Sequence, residues 1–160
     1  MVDLSKRRLF RRSSEKGIDT QQRMPWIHNQ AQFTDDCTRC GKCLDICETN
    51  IIIKGDGGFP AIDFTKGECT FCKKCSDVCP EALFDLDVAP VWLHKVTINS
   101  DCLATKSVEC RSCSELCEPM AIKFQLTIGN VAQPRLDLDK CTGCGACVAI
   151  CPVSAISMKL

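Results

Sequence analysis

Short stretches of alternating apolar and polar residues recur along this chain, each too brief for an amphipathic helix. Ala61-Ile-Asp-Phe64, Val96-Thr-Ile98 and Arg135-Leu-Asp-Leu138 change face at every residue, which is the period of a half-buried strand. Two places predict hairpins. Ile51–Lys54 and Phe59–Phe64 flank Gly55-Asp-Gly-Gly58, while Ala121–Ile128 and Pro134–Leu138 flank a turn at Gly129-Asn130. No hairpin turn marks Asp85–Val91, which contains Pro90, so a module boundary is expected there. The pattern predicts an α+β protein of two successive modules, residues 31–92 and 93–160. Residues 1–30 form a basic lead segment.

Cysteine changes this picture most. Sixteen of the 160 residues are Cys, and they fall into four runs. Runs one, two and four share one spacing: Cys37, Cys40, Cys43, Cys47; Cys69, Cys72, Cys75, Cys79; and Cys141, Cys144, Cys147, Cys151. Run three is stretched at its start and reads Cys102, Cys110, Cys113, Cys117. The runs begin 32, 33 and 39 residues apart, so the chain is an internal repeat. Similar phrases follow, such as Cys117-Glu-Pro-Met-Ala-Ile-Lys-Phe and Cys151-Pro-Val-Ser-Ala-Ile-Ser-Met.

Three cysteines two residues apart let a tight loop present three thiolates and several N–H groups to one corner of a cubane. The fourth, expected at the start of a short helix, points to a neighbouring cluster, as in two-cluster ferredoxins. The reading is therefore four [4Fe–4S] clusters in two tandem bacterial-type 2[4Fe–4S] ferredoxin-like modules. Cys37, Cys40 and Cys43 take Cys79, and Cys69, Cys72 and Cys75 take Cys47. Cys102, Cys110 and Cys113 take Cys151, and Cys141, Cys144 and Cys147 take Cys117. Pairing runs two and three is the alternative, which leaves runs one and four as distant partners. Zinc favours paired CxxC knuckles across a longer loop, which these spacings do not match.

A disulfide framework would need an oxidising compartment. Ser5–Phe10 imitates a twin-arginine export signal, but Arg11-Arg12-Ser-Ser-Glu-Lys-Gly17 follows where an apolar run is required. No stretch approaches the ~18 apolar residues of a membrane span. A cytoplasmic location is expected, where dense cysteine means metal.

Formal charge is zero overall, yet residues 1–30 hold seven Lys/Arg against three Asp/Glu. Four clusters on thiolates would add roughly −8, so the holo-protein is expected to be acidic and a poor ligand for nucleic acid. The run Lys6–Arg12 is either a solvated tail or a docking segment for an acidic or membrane partner. Pro80 and Pro152 follow the fourth cysteine in runs two and four. Glu48 and Glu118 replace proline elsewhere, as loop variation or as carboxylates that lower a neighbouring potential. His28 and His94 stand in no recognisable nucleophile order, and no Gly-rich phosphate loop is present. No enzymatic activity is expected.

The chain resembles the NapF family of ferredoxin-type proteins. The likeness rests on the four-run cysteine plan, Ser5-Lys-Arg-Arg-Leu-Phe10, Met24-Pro-Trp26, Cys37-Thr-Arg-Cys40, Ser107-Val-Glu-Cys-Arg111, Cys117-Glu-Pro-Met-Ala-Ile122 and Cys141–Ile156. That resemblance implies a cytoplasmic accessory protein interacting with the precursor of the periplasmic nitrate reductase catalytic subunit before export. Two further readings remain: a one-electron carrier between a quinol- or NADH-linked donor and a reductase, and a chaperone whose clusters only stabilise its surface.

Overall fold

The computed structural model describes residues 22–27, 29–87 and 91–159. The basic run Lys6–Arg12, the Ser5–Phe10 signal imitation, His28 and Pro90 lie outside them. The elements run α1 (Phe33–Asp36), α2 (Lys42–Asp45), β1 (Ile52–Lys54), β2 (Pro60–Ile62), α3 (Lys74–Asp77), β3 (Lys95–Ile98), α4 (Ser112–Glu115), β4 (Ile122–Thr127), β5 (Asn130–Leu136), α5 (Ala146–Ala149) and β6 (Ile156–Lys159). Each helix is a single turn of four residues. A piece that short does not hold itself, because nucleation costs more than one turn of hydrogen bonds returns. It must be held by its surroundings.

Both expected hairpins form. β1 and β2 pair antiparallel with Ile52 opposite Ile62, closed by a tight turn at Asp56–Gly58. β4 and β5 pair with Ile122 opposite Leu136 around a turn at 128–129. A third pair was not legible in the alternation. Ile156–Lys159 becomes β6 and lies antiparallel to β3, with Val96 opposite Met158 and Ile98 opposite Ile156. The second module is thus closed by its own first and last strands. The first module has a reduced version of this closure in a bridge between Ile27 and Phe84, extended by the Asp85 N–H on the Trp26 carbonyl at 2.8 Å.

Residues 23–27, assigned from the pattern to the lead segment, pack with the first module. Met24 and Trp26 are buried. The buried Arg23 guanidinium donates to the Pro60 carbonyl at 2.5 Å and lies 4.7 Å from the centre of the Phe33 ring. Opening on Arg23 and only five residues long, this stretch shows no periodicity that separates it from a tail. Its anchoring is tertiary.

Two cores result, of different make-up. The first holds Met24, Phe33, Ile51, Phe64, Leu83 and Trp92 among its buried members. The second holds Val96, Ala121, Ile122 and Ile156 together with Cys113, Cys141 and Cys147. Phe33 is 0 % exposed at the centre of the first core. Phe33→Ala is expected to cost about 3–5 kcal/mol, read as a lowered denaturant midpoint with an unchanged slope.

The fourth cysteine does not start a helix, contrary to the spacing argument. α2 ends before Cys47, α3 before Cys79, α4 before Cys117 and α5 before Cys151. In the three regular runs the residue after the second cysteine is left-handed: Gly41 at φ 82°, Lys73 at φ 64° and Gly145 at φ 81°. That reversal starts the helix one residue before the third cysteine, and one turn later the chain reaches the fourth already leaving it.

Candidate metal centres

The local conformation of each regular run follows from its need to double back. A second left-handed residue lies between the first two cysteines, Arg39, Phe71 and Gly143 respectively. Backbone that mixes left- and right-handed residues turns successive N–H groups into a concavity suited to an anion. Run three solves the same problem differently. Its extra residues form a tight turn at Ala104–Lys106 ended by a left-handed Ser107, and Arg111 before α4 has a negative φ of −135° in place of the left-handed residue of the other runs. Ala104 is fully buried there, so the longer loop is packed in place.

All sixteen cysteines are free thiols, and they gather around four cavities. Cys37, Cys40, Cys43 and Cys79 line one. Cys69, Cys72, Cys75 and Cys47 line another. In the second module, Cys102, Cys110, Cys113 and Cys151 line a third. Cys141, Cys144, Cys147 and Cys117 line the last. Each cavity takes three thiols from one run and one from the other run of its module. The sulfurs ring a space rather than converge on a point. Among the described residues, no three His, Cys, Asp or Glu side chains form a group that could hold a single metal ion.

The electrostatics of these cavities would be unfavourable without a cationic core. Burial pushes the Cys43 thiol up to about 12, and the nearby Cys75, Cys37 and Cys40 add to the rise. Cys75 and Cys147 are likewise pushed up to about 12, and Cys69 and Cys113 to about 11, again chiefly by burial. Thiols in that state are neutral at pH 7. Bound cations invert this balance, because a coordinating thiol is deprotonated outright.

Hydrogen bonds favouring a thiolate surround the crossing cysteines. The Ala121 N–H donates to Cys117 Sγ at 3.2 Å, and the Ala155 N–H donates to Cys151 Sγ at 3.2 Å. At Cys47 burial acts upward, but the Thr49 hydroxyl and the N–H groups of Ile52, Ile51 and Thr49 outweigh it and leave the thiol below its ordinary value. Thr49 Oγ1 stands 3.6 Å from that sulfur. Sequence reasoning passed over Thr49; its place two residues beyond a fourth cysteine was the only available signal. Thiols grouped in fours, N–H donors aimed at sulfur and anion-shaped loops together fit a soft, anionic iron–sulfur group.

The remaining candidates fall outside this chemistry. Glu48 is ion-paired to Lys74, whose ammonium is held above its ordinary value first by that hydrogen bond and then by the carboxylate charge. The carboxylate beside run one is therefore partly offset. His94 is buried, and its ring is pushed toward the neutral form by that burial. No helix among the described residues is long and apolar enough to cross a membrane.

Comparison with known proteins agrees with the cysteine chemistry. Residues 36–83 match the 4Fe-4S dicluster domain and residues 134–157 match the 4Fe-4S binding domain. The stretched run three lies outside both matches. The chain is 53% identical over 138 residues to the ferredoxin-type protein NapF of Haemophilus influenzae, covering 86% of this chain and 78% of that protein. It is 44% identical over 161 residues to the ferredoxin-type protein NapF of Escherichia coli K12, covering 99% and 96%. A more distant likeness, 27% over 167 residues, is to the methylamine utilization ferredoxin-type protein MauM of Methylobacillus flagellatus, covering 93% of this chain and 71% of that protein.

Proposed function

The chain belongs to the NapF family of ferredoxin-type proteins, and from that membership we propose an accessory role in which four [4Fe–4S] clusters serve another enzyme's assembly. The sixteen cysteines hold the clusters in the crossed sets described above. The recipient is the precursor of the periplasmic nitrate reductase catalytic subunit. The encounter takes place in the cytoplasm before export and assists assembly or reduction of that subunit's iron–sulfur centre.

The observation that carries the cluster assignment is the division of sixteen thiols into four cavities of four. When bound, such clusters supply one-electron chemistry between the 2+ and 1+ levels. The protein's own residues supply the rest. Left-handed loop residues let each run double back around its cavity, and Thr49 and the N–H groups of Ala121 and Ala155 steady the crossing thiolates. The two cores shield the inner sides of the cavities.

Anaerobic reconstitution should give about sixteen iron and sixteen acid-labile sulfide per chain; values well below that defeat the four-cluster assignment. For the partner, the reconstituted protein is expected to retain the unexported catalytic precursor in a pull-down and to release the mature enzyme. No capture of the precursor, together with rapid electron delivery to the mature enzyme, would establish the electron-carrier reading instead. A hydrogen bond joining ligand loops of the two modules, from the Cys69 N–H to the Cys144 carbonyl at 2.8 Å, favours that second reading.

A further inference from the structure

The two modules meet at their cysteine loops. Cys69, the first cysteine of run two, donates its N–H to the carbonyl of Cys144, the second cysteine of run four, at 2.8 Å. Beside this bond the Phe64 ring lies directly over Gly145. A Cβ built at Gly145 would come within 2.1 Å of the ring, so the contact exists only because position 145 has no side chain. Gly143 is also closely approached, with the His94 carbonyl 3.0 Å and Trp92 Cβ 3.2 Å from where its Cβ would be. Phe64 is itself fixed edge-on against Trp92 at 5.4 Å between ring centres. Trp92 is pinned by its Nε1–H on the Arg23 carbonyl at 3.0 Å. Val148 and Met158 of the second module pack against the first core. The junction is therefore a built contact between the loops of run two and run four.

We propose that this junction joins the four cavities into one relay with the order run one, run two, run four, run three, with Gly145 and Phe64 as the positioning residues of its central link. The inference rests on the cluster reading given above. Within each module the two cavities are joined by the exchanged cysteines: Cys79 lines the cavity of run one and Cys47 that of run two, while Cys151 lines the cavity of run three and Cys117 that of run four. Between modules the path runs from Cys69 Sγ along its own side chain to its N–H, across the hydrogen bond to the Cys144 carbonyl, and on to Cys144 Sγ. One electron crossing this link oxidises the site it leaves by one unit and reduces the site it enters by one. No bond is made or broken, and no proton moves. The cavities of runs one and three are the two ends, where an external one-electron donor and acceptor would engage.

The test isolates the central pair in the full chain. Cys37→Ala with Cys40→Ala and Cys102→Ala with Cys110→Ala empty the two end sites, and about eight iron and eight sulfide should remain after reconstitution. Reduced with dithionite, this protein is expected to give an EPR spectrum split by spin–spin interaction between the two inner centres. Adding Gly145→Ala should collapse the splitting to two isolated signals at unchanged iron content. A further Phe64→Ala, which removes the clash, should restore at least part of it. Two isolated signals at full iron content before Gly145 is touched would overturn the relay while leaving the cluster reading intact. Iron well below eight in the starting protein would instead overturn the cluster reading, and the relay with it. If Gly145→Ala fails to fold, the spectrum of the starting protein still decides.

Discussion

Once Cys37→Ala and Cys40→Ala have removed the run-one cluster, replacing Cys79 with alanine is expected to cost no further iron. The cavity that Cys79 lines contains Cys37, Cys40 and Cys43 and none of Cys69, Cys72 or Cys75. Burial raises the Cys79 thiol, and among the cysteines its like-charged neighbours are Cys40 and Cys37. The double substitution should bring iron from about sixteen per chain to about twelve, and Cys79→Ala added to it should leave about twelve. A strictly local arrangement, in which each run serves only itself, predicts a further fall to about eight. This is a double-mutant comparison in which complete non-additivity is the signature of a shared site. The reciprocal set, Cys69→Ala with Cys72→Ala followed by Cys47→Ala, should behave in the same way. Iron quantitation with EPR of the reduced protein reads both.

Much of that expectation was available from spacing alone, because a thiolate's reach is set by a few residues of local chain. The hairpin at Gly55–Gly58 was legible for the same reason: alternation and turn chemistry are local, and β1 and β2 formed where they pointed. What escaped was non-local. β6 is four residues of Ile-Ser-Met-Lys, whose alternation was absorbed into the phrase following run four. Only its partner β3, reached across the whole second module, makes it a strand. The anchoring of Arg23–Ile27 was hidden because Arg23 reads as one more charge in a basic segment. Its partners, the Pro60 carbonyl and the Phe33 ring, lie elsewhere in the chain. Gly145 looked like one more loop glycine, and nothing local says that Phe64 occupies the space beside it. Run three shows the limit from the other side. The count of thiols survived its irregularity, while the path of its loop through a buried Ala104 could not be read.

Removing iron should unfasten the two modules unequally, with the second opening first. In the first core the buried side chains include Phe33, Phe64 and Trp92, and none is cysteine. In the second, three buried members are themselves cysteines, the others being one valine, one alanine and two isoleucines. An aromatic side chain buries roughly 150–250 Å², so the first core keeps a large apolar contribution when its clusters are stripped. The second is left with small aliphatic residues around a void, and its buried thiols, Cys113 at about 11 and Cys147 at about 12, take up protons on losing iron. Since metal binding in such domains is folding free energy, anaerobic chelation is expected to abolish amide protection at Asn99 and Asp137, whose N–H groups donate to the Ala155 and Ala121 carbonyls. Protection at Ile62 and Asp63, whose N–H groups donate to the Gln22 and Ile51 carbonyls, should persist at least roughly tenfold longer. Hydrogen exchange followed by mass spectrometry resolves the two regions. Simultaneous loss in both would mean that the junction, rather than either core, sets stability.

The interleaving of the cysteine sets also bears on biosynthesis. A cavity walled by both runs of a module does not exist while only the first of them has left the ribosome. Cys37, Cys40 and Cys43 wait for Cys79, and the loop of run three waits for Cys151 and for the closing strand at Ile156–Lys159. The nascent chain therefore has no partly built vessel in which to receive iron early. On the proposed cluster assignment, the cavities of each module are completed only late in its own synthesis, the first while the second is still emerging, and cofactor delivery to a module would begin only then.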